Sequence, residues 1–152
     1  MIVVKSGKLS DKKMFIGKYY HKVEEKGRVS LPKAFRSKAS AWIITRGLDG
    51  GLFLFQADKF TAELEKLEAR SFTKKTHRDF IRLMTNEAQE VTPDTNGRVQ
   101  LPEYLTTFAN IGKDVVIVGS YSYVEIWDRD TYHTYLDEVE SRASEIAEGL
   151  EE

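Results

Sequence analysis

Two arginines, Arg28 and Arg98, each follow a glycine, and each has a carboxylate four residues before it, Glu24 and Asp94. A carboxylate so placed across a glycine turn can accept backbone N–H groups and hold the turn. It can also orient the guanidinium, whose planar fork of donors suits a phosphate or a guanine edge. The plainer alternative is a hairpin carrying an exposed ion pair of little energetic worth. Repetition weighs toward the first. Val23-Glu24-Glu25-Lys26-Gly27-Arg28-Val29-Ser30-Leu31-Pro32 returns as Pro93-Asp94-Thr95-Asn96-Gly97-Arg98-Val99-Gln100-Leu101-Pro102, displaced by 70 residues. Glycine, arginine, valine, leucine and proline recurring at one offset mark two copies of one structural unit.

Around Arg28 stand Lys18, Lys22, Lys26, Lys33 and Arg36. They suit phosphate contacts that position a protein without reading sequence, or they are ordinary surface cations. The second copy is thinner: Asn96 takes the place of Lys26 and Glu103 that of Lys33. If both turns touch nucleic acid, the first is therefore expected to dominate. Between residues 18 and 38, seven cations face two anions, a net of +5, while residues 125 to 152 carry ten acids and two arginines, a net of −8. Such asymmetry within a chain of formal net charge −1 points to a basic face for a polyanion and an acidic end that is solvated or repels it.

Catalytic chemistry finds little support. His21, His77 and His133 lie far apart and form no metal-ligand spacing. Thr45-Arg46-Gly47-Leu48-Asp49-Gly50-Gly51 lacks a phosphate-loop Gly-Lys-Ser/Thr and reads as a hairpin turn. Asp49 and Asp94 would make an acid/base pair only if the fold brought them together. No catalytic residue, metal or cofactor is expected. The chain has no cysteine, which removes disulfides and thiolate chemistry. No apolar run approaches the roughly 20 residues of a membrane span, and the apolar start at Met1–Val4 is too short for a signal-peptide core.

The elements that must position the arginines follow from periodicity. Residues 1 to 13 read as a loose extension. Phe15 to Val23 alternate as a strand entering the Lys26-Gly27 turn, with Val29 and Leu31 leaving it; Asn96-Gly97 is the stronger version, suited to a two-residue type I′ hairpin. A brief helix is expected past each proline, at 33–36 and 103–106. Strand pairs follow at 41–45 with 52–55 and at 115–118 with 123–127. Asp58 is expected to cap a helix bearing Phe60, Leu64 and Leu67, and Asp128 or Asp130 to cap one aligning Tyr132, Tyr135, Leu136, Val139, Ala143, Ile146 and Leu150. Phe80, Ile81 and Met84 place a further helix within 73–85. The fold class is α+β: two interleaved halves forming one β-barrel with pseudo-twofold symmetry, flanked by short helices. The expected division is an extension at 1–13, a first unit at 14–72, a connecting helix at 73–90 and a second unit with the C-terminal helix at 91–152.

Met14-Phe15-Ile16-Gly17, the Glu24–Pro32 motif, Thr45-Arg46-Gly47-Leu48-Asp49-Gly50, Asp94-Thr95-Asn96-Gly97-Arg98, Val118-Gly119 and Glu125-Ile126-Trp127-Asp128 together resemble the bacterial MraZ proteins over Met14 to Leu136. The resemblance implies two swapped-hairpin units of the AbrB type. It also implies a transcriptional regulator, cytoplasmic and nucleoid-associated, that binds double-stranded DNA at promoter repeats of the division and cell-wall gene cluster as a ring-shaped homo-oligomer. Arg28 and Arg98 then fall on the family's Asp-x-x-x-Arg positions, with Lys22, Lys26, Lys33 and Arg36 as further DNA contacts and Glu24, Gly27, Asp94 and Gly97 supporting the motif. Glu24 departs from the usual aspartate by one methylene. No membrane or small-molecule partner is expected; the alternative is a ring-forming scaffold whose basic face meets a partner other than nucleic acid.

Overall fold

Among the described residues, the turns at Gly47–Gly51 and Gly119–Tyr123 close the two sheet hairpins made from strands adjacent in sequence. The computed structural model describes residues 14–150, and the extension expected at 1–13 lies outside the described residues. The strands are β1 (Lys18–Lys22), β2 (Arg28–Ser30), β3 (Trp42–Arg46), β4 (Leu52–Gln56), β5 (Gln89–Val91), β6 (Arg98–Gln100), β7 (Asp114–Gly119) and β8 (Val124–Asp128). The helices are α1 (Lys33–Arg36), α2 (Ala57–Ser71), α3 (Lys75–Asn86), α4 (Glu103–Phe108), α5 (Arg129–Ser141) and α6 (Ala143–Gly149). The chain is thus α+β, with antiparallel pairing throughout.

Every other ladder crosses between the two copies. β1 pairs with β7, β5 with β3, β4 with β8, and β2 with β6, so only β3–β4 and β7–β8 stay within one copy. Among the described residues the expected local hairpin from β1 into β2 is reduced to a single antiparallel bridge between Glu24 and Arg28: the chain enters each Gly-Arg turn from one sheet partner and leaves it to another. The six-stranded sheet runs β1–β7–β8–β4–β3–β5, and β2 and β6 form a separate two-stranded ribbon. The expected closed barrel is not what the ladders draw among the described residues. β1 and β5 remain as open edges, and the ribbon faces the sheet rather than joining it.

Alternation explains which sheet face is buried. Trp42, Ile44, Leu52, Leu54, Val115, Ile117, Val124 and Ile126 point to one side, where they meet Val29, Leu31, Val99 and Leu101 from the ribbon region and Phe35 and Leu105 from α1 and α4, all in one apolar core. Phe15 anchors the start of the described chain there, edge-on to Phe35 at 5.3 Å between ring centroids. The opposite sheet face carries Phe53, Phe55, Val116, Val118 and Trp127; α5 covers part of it through Tyr132 and Tyr135 against Trp127. Gly51 permits this cover, since a Cβ there would lie 2.5 Å from the Trp127 indole.

Helix ends depart from expectation in two places. Asp128 does cap α5, Oδ2 accepting the Thr131 N–H at 3.2 Å, but Gln56 occupies the cap of α2 and Asp58 lies within its first turn, accepting the Lys59 N–H at 2.9 Å. The single C-terminal helix is interrupted at Arg142, where the Ser141 hydroxyl donates to the Glu138 carbonyl at 2.6 Å. Such back-bonding competes with the helical ladder, and it leaves Ile146 and Leu150 facing solvent.

Because β1, β2 and one side each of β3 and β4 find their partners in the other copy, either half alone leaves four strands without a partner they have in the whole chain. Residues 14–88 expressed alone are predicted to be unfolded or self-associated. Light scattering showing a monomer with protected amides by hydrogen exchange would contradict the interleaved topology.

Candidate nucleic-acid interface

Val29 and Val99 face each other at the middle of the β2–β6 ribbon, both at 0% exposure, and pin it to the core. Period-two alternation then turns their neighbours outward: Arg28 opposite Gln100, and Ser30 opposite Arg98. One small ribbon face therefore carries two arginines in diagonal positions with two uncharged polar side chains between them. Arg28, Arg98, Gln100, Asp94 and Thr92 line a shallow hollow there. Ser30 and Gln100 were not among the residues singled out from sequence, although the repeat placed them two positions beyond each arginine; the missing information was that β2 pairs with β6.

The two turns are built differently. In the second, Asp94 Oδ1 accepts the N–H groups of Asn96 at 2.9 Å and Arg98 at 3.0 Å, while Oδ2 accepts Arg98 Nε at 3.1 Å. Asp94 N–H in turn donates to the Arg98 carbonyl, and only Gly97 in Thr95–Gly97 has positive φ. This is a three-residue loop with glycine in the bulge position rather than the expected two-residue type I′ turn. In the first turn the expected carboxylate clamp fails. Glu24, one methylene longer, sends Oε2 to the Ser30 hydroxyl at 3.4 Å and Oε1 across the ribbon to Arg98 Nη1 at 3.3 Å. Lys26 is held left-handed at φ 62° beside Gly27 at φ 73°, a conformation costly for a residue with a Cβ.

The arginines differ in consequence. Arg98 contacts two carboxylates and keeps 24% side-chain exposure. Loss of solvent works against its charge, and Asp94 with Glu24 outweighs that, raising its pKa. Arg28 makes no side-chain hydrogen bond or ion pair among the described residues.

Interleaving also moves the flanking charges. Leu31 N–H bonds the Gly97 carbonyl at 3.0 Å and Leu101 N–H the Gly27 carbonyl at 2.9 Å, so each turn lies against the segment that follows the other. Arg36, on α1 of the first copy, therefore packs on the second turn, its Nη1 reaching the Asn96 carbonyl at 3.5 Å. A Cβ on Gly97 would strike that guanidinium. Lys33 begins the same helix and is exposed. The first turn keeps Lys26 and gains the neighbourhood of Lys113, whose carbonyl accepts the Val23 N–H at 2.8 Å. Lys22 is committed to Asp114 at 3.1 Å. The lysine density that surrounds Arg28 in sequence is thus divided between the two turns in space.

The other candidates stay apart. Asp49 lies near Glu125, whose pKa is raised first by burial and then by Asp49, while Ser120 donates to it at 2.8 Å and works the other way. Asp94 sits on the ribbon with Arg98. His133 stacks on Tyr20, with Nε2 3.2 Å from the phenol oxygen, and His21 lies on β1 opposite Val115. Among the described residues no group of three or more His, Cys, Asp or Glu is arranged to hold a metal ion, and no helix is long and apolar enough to cross a membrane.

Donation from the Arg98 backbone N–H is the first cause holding the Asp94 carboxyl below its ordinary value, with Asn96 N–H and the Arg98 charge adding to it against a desolvation that raises it. A depressed carboxylate pKa contributes stability above the unfolded value and loses it as pH falls through the folded one. The second turn is therefore predicted to loosen on acidification below about pH 4, and Asp94→Ala to remove that dependence. Amide exchange at Asn96 and Arg98 is the measurement: protection that is the same in Asp94→Ala as in the parent would contradict the clamp.

A family model described as "MraZ protein, putative antitoxin-like" matches the chain twice in succession, over residues 14–83 and 84–150. The two matches together span all of residues 14–150, with one Gly-Arg turn in each. The family is one of regulator-like proteins. With two consecutive matches of this extent, the chain belongs to the MraZ family.

Proposed function

We propose that this protein is a DNA-binding transcriptional regulator that acts on promoter repeats of the division and cell-wall gene cluster through the outward face of the β2–β6 ribbon. The observation that carries the proposal is Arg28: a guanidinium with no carboxylate partner among the described residues, on a ribbon fixed to the core by Val29 and diagonal to Arg98, with Lys26 on its own turn and Arg36 on the other. Free arginine donors at a rigid position suit a base edge or a phosphate, and the lysines suit the backbone on either side. A ring-shaped homo-oligomer would present several ribbons at once. Weak single contacts would then combine through effective concentration, favouring repeated sites over isolated ones.

The scaffold alternative draws on a different observation. An open cavity of about 460 Å³ lies between the outer sheet face and α2 and α3, lined by Phe53, Phe55, Phe60, Leu64, Met84 and Tyr123. An apolar surface of that kind suits a protein contact. The two readings separate in a gel shift at low salt, where the scaffold would ignore DNA.

Arg28→Ala is predicted to weaken binding to a duplex bearing the repeats upstream of the protein's own gene by about 1–3 kcal/mol, roughly 5- to 150-fold, with assembly by light scattering unchanged. Unaltered affinity in an intact assembly would overturn the proposal.

A further inference from the structure

The ribbon carries two arginines but offers only one of them free. Arg98 Nε is held by Asp94 Oδ2 at 3.1 Å and its Nη1 by Glu24 Oε1 at 3.3 Å, from opposite copies of the repeat. A phosphate approaching Arg98 must displace a carboxylate oxygen and tolerate a second negative charge beside it. Taken together, Arg28, Arg98, Glu24 and Asp94 sum to zero formal charge at the centre of the proposed DNA-binding face. The attraction left for a polyanion comes from Arg28 and the flanking lysines.

The two carboxylates play unequal parts in this. Asp94 is bound into its own turn by two backbone N–H groups, so it is structural first. The Glu24 carbonyl accepts the Gly27 N–H at 3.1 Å, but among the described residues its carboxylate accepts no N–H from its own turn; the carboxylate's contacts are the Ser30 hydroxyl at 3.4 Å and Arg98 at 3.3 Å, and the side chain is 46% exposed. The extra methylene that takes Glu24 out of its own turn is what lets it reach across the ribbon. We propose that Glu24 is a specificity-determining latch: it occupies Arg98 and so limits the DNA-reading set of the ribbon to one arginine per chain. This rests on the DNA-binding reading. Its chemistry is competition between a carboxylate and a DNA phosphate for the same guanidinium face.

Removing the latch charge adds one cation to the set that DNA can neutralise. For duplex DNA the slope of log affinity against log salt is about −0.9 per phosphate neutralised. Glu24→Gln is therefore expected to steepen that slope by close to one. It should also tighten binding at low salt by roughly two- to fivefold, the range of an exposed ion pair. Glu25→Gln supplies the control. It removes an equal charge from the same turn at a residue with no side-chain ion pair among the described residues.

The experiment measures affinity and salt slope for the parent, Glu24→Gln, Glu25→Gln and Glu24→Gln combined with Arg98→Ala. The probes are the promoter-repeat duplex and a scrambled duplex of equal length, with melting curves to establish folding. The latch predicts that Glu24→Gln exceeds Glu25→Gln in both readouts, that its gain vanishes without Arg98, and that discrimination between the two duplexes changes. Equal effects of the two glutamine variants, or a gain that persists without Arg98, would overturn the latch while leaving DNA binding intact. A parent protein that binds neither duplex at low salt would overturn the DNA reading, and the latch with it.

Discussion

The pairing of Val29 with Val99 across the β2–β6 ribbon is the contact on which the rest of the molecule depends. Among the described residues neither strand joins another ladder, and at three residues each neither is stable alone. Once they pair, the Gly27 and Gly97 carbonyls are placed to receive Leu101 and Leu31 N–H groups, and the prolines that follow start α1 and α4 over the core. The chain must then cross to the opposite copy to find a sheet partner for β1 and β5. Interleaving is thus a consequence of strands too short to pair locally and an apolar face that only the combined halves can cover.

The same constraint organises the surface. A ribbon buried on its valine side must turn the adjacent side chains out, so the arginine one position before each valine becomes an outward-facing, rigidly based donor. Each turn rests on the other copy's following segment, which carries Arg36 to the second turn and leaves Lys26 with the first. Electrostatics is therefore more evenly distributed than the linear order of charges indicates. The remaining asymmetry sits in the carboxylates: a clamp in Asp94 and a cross-ribbon contact in Glu24, with Arg98 taken and Arg28 open.

Much of this was legible in sequence. The offset repeat announced the duplicated unit, the Gly-Arg turns and the short helices after Pro32 and Pro102. Short apolar runs bounded by turn residues located the long strands within Trp42–Arg46, Leu52–Gln56, Asp114–Gly119 and Val124–Asp128. β5 escaped because Gln89-Glu90-Val91 is short and mostly polar, and it is a strand only because β3 offers it an edge. The partner of each motif strand also escaped, since period-two patterning fixes a face and not a neighbour. For the same reason Ser30 and Gln100 went unnoticed, and the lysines near Arg28 in sequence were assigned wholly to its turn. The type I′ expectation at Asn96-Gly97 failed because Asp94 offered two acceptor bonds that a three-residue loop satisfies better.

The central claim is that the ribbon and its two turns form the DNA-binding face. It is tested most directly by titrating isotopically labelled protein with the promoter-repeat duplex and following backbone amide shifts. The largest shifts are predicted at Lys26–Ser30 and Asn96–Gln100, spreading to Lys33 and Arg36. Shifts confined to the Phe55–Phe60–Met84 groove, or none at low salt, would contradict the account.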